Sequence, residues 1–96
     1  MKPAAVIKDG SWWAVERDGA RLLSRIKTKK LAVLSTRRFD GDVTAAPEWY
    51  RLTLSYELLK FPDEAMALRS TVIAAKTLGL RPDHVRADPD TGKPID

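Results

Sequence analysis

Ninety-six residues, 44% of them hydrophobic and 31% charged, suffice for one globular core and lie outside disordered composition. A formal charge of +4 and a pI near 9.6 favour a polyanionic partner, nucleic acid above all, or an acidic protein surface. The absence of cysteine excludes disulfides, thiolate metal ligands and thiol nucleophiles, and no apolar run has the length of a signal peptide or membrane span, which together predict a cytoplasmic protein.

The charge is segregated along the chain. Residues 1–38 hold ten cations and three acids, whereas residues 39–96 hold seven cations and ten acids. Between Gly19 and Phe39, 21 residues pass without an acid while carrying Arg21, Arg25, Lys27, Lys29, Lys30, Arg37 and Arg38.

In chain order, Ala5 to Lys8 reads as a first strand turning at Asp9-Gly10-Ser11. Trp12 to Arg17, Asp18-Gly19 and Ala20 to Ile26 then read as a β-hairpin, because Asp-Gly accepts the positive φ angles of a type I′ turn. With Arg17 opposite Ala20, the register sets Glu16 against Arg21, Val15 against Leu22 and Trp12 against Arg25. One face then carries Trp13, Val15, Leu22 and Ile26. The other carries Trp12, Glu16, Arg21 and Arg25.

Leu31-Ala32-Val33-Leu34 suits a buried strand or a helix, but Thr28 can cap a helix from Lys29 to about Arg38 that stops at Asp40-Gly41. About ten helical residues would hold the Lys29-Lys30 and Arg37-Arg38 pairs roughly 12 Å apart along the axis. Residues 42–48 form a linker with Pro47. Tyr50, Leu52, Leu54, Tyr56 and Leu58 alternate with other residues at period two, which predicts a half-buried strand over about 49–60. Pro62, Asp63 and Glu64 open a helix that Gly79 and Pro82 close, with Ala65, Leu68, Val72, Ala75 and Leu78 as its apolar stripe. Two strand–helix segments, led by Trp13 and by Trp49, align weakly with one another as an internal repeat.

These elements predict a small α+β fold. An antiparallel sheet, built from the N-terminal Trp hairpin and the 49–60 strand, packs against helices at about 28–38 and 62–79. Residues 1–80 form a single compact domain and 81–96 an extended Pro-rich tail.

No glycine-rich phosphate loop, zinc spacing or nucleophile motif is present, so no enzyme, cofactor or metal is implied. His84 reads as a surface histidine, and Asp88, Asp90 and Gly92 as a turn, since the acidic ligand that would complete a calcium loop is missing. The leading expectation is a non-catalytic module that binds DNA or RNA through phosphates. Lys27, Lys29, Lys30, Arg37 and Arg38 supply charge, with Arg21 and Arg25 on the hairpin, and Trp12 either stacks a base or is covered by another element. The alternative is a protein-interaction factor, an inhibitor or adaptor of the phage or mobile-element type. It would dock on an acidic or nucleic-acid-handling host protein through Met66, Arg69, Ile73 and Lys76 on the second helix.

Overall fold

In a computed structural model, which describes residues 2–95, the chain forms two compact units, Met1–Asp42 and Val43–Asp96. The first contains an antiparallel sheet of β1 (Ala5–Asp9), β2 (Trp12–Arg17) and β3 (Ala20–Ile26), in that spatial order, followed by α1 (Lys29–Phe39). The second contains α2 (Ala46–Lys60), α3 (Glu64–Thr77) and the single turn α4 (Pro82–Val85). The α+β class is as the sequence predicts, and so is the helix after Thr28.

The hairpin turns at Asp18 and Gly19, both at positive φ (51° and 78°), and pairs Arg17 with Ala20 and Glu16 with Arg21. Farther from the turn the register departs from the simple count. Val15 lies opposite Leu23 and Trp13 opposite Ile26, so β3 holds extra residues in β-bulges, with Arg25 at φ 56° in the second. The bulges bring both Leu22 and Leu23 against the core, and they remove Arg25 from its expected place opposite Trp12.

Val15, Ile26 and Ala32 are the buried centre of this unit, with Val6, Trp13, Leu31 and Phe39 packed around them. Helix α1 covers one face of the sheet. Its first turn is capped by the Thr28 hydroxyl, which accepts from the Leu31 N–H at 3.2 Å. Its other end is fastened by Arg17, whose guanidinium donates to the Phe39 carbonyl (2.6 Å), the Asp40 carboxylate (3.1 Å) and the Lys2 carbonyl (3.1 Å). Asp40 also accepts from the Ala4 N–H at 2.9 Å, which ties the entry to β1 to the exit of α1.

In the second unit the strand expected over 49–60 is instead most of α2. Pro47 and Glu48 in the first turn are a helix start, and Leu, Tyr, Glu, Arg and Lys dominate the remaining turns, with Thr53 the one β-branched residue. Period two arose because apolar side chains surround this helix instead of forming one stripe. Trp49, Tyr50 and Thr53 are buried, and Leu58 and Leu59 are exposed. The weak repeat therefore aligns a β-hairpin with a helix in its first half, and only the capped helices after Thr28 and Asp63 correspond.

Asp63 caps α3 through the Ala65 N–H at 2.9 Å, and α3 packs on α2 with Ala67, Leu68, Thr71 and Ala75 buried. The residues after Arg81, expected as an extended tail, are bonded into this unit. α4 lies on α2, Ala87 bridges to Pro94, and Asp88 Oδ1 accepts from the Asp90 and Thr91 N–H groups. The turn places Gly92 between α2 and α3, where the Tyr50 hydroxyl donates to its carbonyl at 2.6 Å.

Two outcomes test this seat. A Cβ at Gly92 would lie 2.9 Å from Val72 Cγ2 and 3.3 Å from the Tyr50 oxygen at a φ of 79°, so Gly92→Ala should destabilise the chain by about 1–3 kcal/mol in urea unfolding. Burial holds the Tyr50 phenol above its ordinary pKa, so its contribution is complete below about pH 10 and is lost as pH rises through the folded value. Thermal melts should show an alkaline loss of stability that shrinks in Tyr50→Phe.

Candidate nucleic-acid interface

Cross-strand pairing sets Lys8 opposite Trp13 and Trp13 opposite Ile26, a single row across the sheet on the side that α1 covers. Arg25 and Lys27 flank Ile26, and α1 begins two residues farther on with Lys29 and Lys30. The Lys8 ammonium lies 4.4 Å from the centre of the Trp13 ring, and that of Lys29 lies 5.9 Å from it. The electron-rich ring holds two cations near one another that would otherwise repel. No acid stands in the first turn of α1, so the positive end of the helix dipole adds to their field.

The five acids of this unit are all in ion pairs with other cations, and Asp9, at the same end of the sheet as Trp13, lies in the neighbouring row with Trp12. Asp9 and Glu16 both bind Arg21 at 3.1 Å, Asp18 binds Lys2 at 3.6 Å, Asp40 binds Arg17 at 3.1 Å and Asp42 binds Arg37 at 2.6 Å. Lys8, Arg25 and Lys29 stand outside these pairs.

The seven cations of the acid-free stretch are thus not equivalent. Arg21 spans the open face of the sheet, and its hydrogen bond to Asp9, followed by that to Glu16, holds its guanidinium further above its ordinary pKa. The line from Arg21 to Asp9 crosses β2 at Ala14, which is fully buried. Arg37 gives both Nε and Nη2 to one Asp42 oxygen, and Arg38 is half-buried, its Nε shielded from solvent without a hydrogen-bond partner among the described residues. The Lys29-Lys30 end and the Arg37-Arg38 end of α1 therefore differ in kind.

Trp13 belongs to the core side of the sheet, and Trp12, 42% exposed, to the opposite face with Asp9, Glu16 and Arg21. Arg25, which the simple register sets against Trp12, is displaced by the bulges, and Trp13 has cation contacts from Lys8 and Lys29. Lys8 escaped the sequence reading although a signal was present. A two-residue turn at Gly10-Ser11 pairs Asp9 with Trp12, and one further step puts Lys8 opposite Trp13.

In the second unit Met66, Arg69, Ile73 and Lys76 all lie exposed on α3, as the helical spacing predicts. His84 is half-buried and accepts from the Arg81 N–H at 3.1 Å, a capping role. Arg81 also pairs with Asp83 and, chiefly through that hydrogen bond, holds its carboxyl below the usual range. Among the described residues no group of acidic and histidine side chains could hold a metal ion, and no helix is long and apolar enough to cross a membrane.

No family model, curated protein or solved structure matches this chain.

Proposed function

We propose that the N-terminal unit binds the phosphate backbone of a nucleic acid at the Trp13 end of its sheet. The observation that carries this reading is the convergence of the Lys8 and Lys29 ammoniums on one aromatic ring beside an acid-free helix N-terminus. Ten cations against five acids give the unit a surplus of positive charge, and ion pairs with Arg17, Arg21 and Arg37 occupy four of those acids. Arg25, Lys27 and Lys30 extend the same surface. Each phosphate contact would release condensed counterions, so binding is driven by charge with little sequence preference.

The test is a salt-titrated fluorescence anisotropy assay of the full chain with single-stranded DNA, duplex DNA and single-stranded RNA. At least one should bind at low salt with an affinity that falls steeply as salt rises. The double substitution Lys8→Ala and Lys29→Ala should weaken that binding roughly tenfold and flatten the salt slope by about two phosphates. Trp12→Ala should have little effect, because Trp12 shares its face with Asp9 and Glu16. Affinity that is indifferent to salt and to both lysines would refute the reading.

A further inference from the structure

Outside that surface, α3 presents a second arrangement of charge and apolar area. From Ala65 to Pro82 the chain has no acid. At 3.6 residues per turn, Met66 and Ile73 share one ridge of α3, Arg69 and Lys76 share the next, and Val72 comes after them on the far side of the cations. Met66 and Ile73 are large apolar side chains left 49% and 58% exposed. Among the described residues neither Arg69 nor Lys76 takes part in an ion pair, since the one acid of α3, Glu64, binds Lys93 at 3.5 Å.

Beyond this cationic row lies a cleft of about 90 Å³ between α3 and the C-terminal turns. Val72, Ala75, Leu80, Val85 and Ala87 give it apolar walls. That volume is far below the roughly 300 Å³ or more of a cofactor pocket and suits one branched aliphatic side chain better than any cofactor. Three ionic groups reach its lining, and two are already committed. Arg81 pairs with Asp83, and the Asp88 carboxylate is held by the N–H groups of Asp90 and Thr91. Lys76 is the third, and it is exposed.

We infer that this surface docks an acidic segment of a partner protein, one that seats an aliphatic side chain in the cleft. Carboxylates beside that anchor would lie over Arg69 and Lys76, and a second apolar residue would cover Met66 and Ile73. The alternation of apolar ridge, cation row and apolar cleft selects that order of chemistry. A nucleic acid would meet the cations but has nothing to place in the cleft, and a basic segment would be repelled. Methionine on the ridge adapts to the shape of its partner, and arginine in the row is favoured at protein interfaces.

The experiment uses the full chain with labelled Val and Ile methyl groups and a peptide of repeating Leu-Glu-Glu units as probe. Methyl resonances of Val72, Val85 and Ile73 should shift together on titration. Lys76→Glu should weaken the interaction roughly tenfold, as should Ile73→Glu, and both positions are exposed, so the fold is retained. A Leu-Lys-Lys peptide should leave the three residues unmoved. Absence of shifts at millimolar peptide, equal binding of the basic peptide, or movement of the same methyl groups by an oligonucleotide would each overturn the inference. Because none of these residues belongs to the N-terminal unit, failure here and failure of the phosphate reading are separable.

Discussion

The geometry of the N-terminal unit depends on the Arg17 guanidinium. Its planar fork of donors reaches two backbone carbonyls and a carboxylate at once, and those acceptors come from two separated places: the chain before β1, and the exit of α1 at Phe39 and Asp40. The side chain is 20% exposed, and the bond to the Phe39 carbonyl is the most sheltered of the three. With the C-terminal end of α1 tied to the end of β2, the N-terminal end of α1 is directed to the opposite end of the sheet. That is where Trp13 lies.

The same tie distributes the charge. A run of seven cations on a linear chain says nothing about where acids will meet them, because partners such as Asp9 and Asp42 lie outside the run. Folding pairs Arg21 and Arg37 with these acids and half-buries Arg38. It also adds Lys8, from a strand that precedes the run, to the cations of the α1 N-terminus. The result is polar in the literal sense, with neutralised guanidinium groups at one end and across the open face, and lysines at the other. Those lysines are held by an aromatic ring, which orders them without cancelling their charge.

The C-terminal unit is built by different means. Ala67 and Ala75 are buried on α3, so α3 can lie close to α2, and the space left between them is filled by a backbone turn instead of a large side chain. Gly92 fits there because it has no Cβ and tolerates a φ of 79°, and the Tyr50 hydroxyl satisfies the carbonyl that the turn buries. A core closed in this way leaves the outer ridge of α3 unused, which is why the large apolar Met66 and Ile73 persist there beside Arg69 and Lys76.

Local signals decided much of this protein in advance. The Asp18-Gly19 turn, the Glu16–Arg21 pair and the Thr28 and Asp63 caps all arise from rules that operate within a few residues, and they are present as read; the apolar stripe of α3 is only partly so, since Ala65 is exposed and Ala67 and Thr71 are buried beside Leu68, Ala75 and Leu78. The 49–60 segment misled because alternation is informative only when one face is buried, and α2 meets apolar surroundings on several sides; residue propensity and Pro47 were the better guides. What only the tertiary structure decided is which charges are spoken for. Ion pairing between Arg17 and Asp40 or Arg21 and Asp9, the bulges that shift Arg25, and the meeting of Lys8 with Lys29 over Trp13 are contacts between residues distant in sequence. Their geometry is set by sheet register and helix direction, which no local pattern contains.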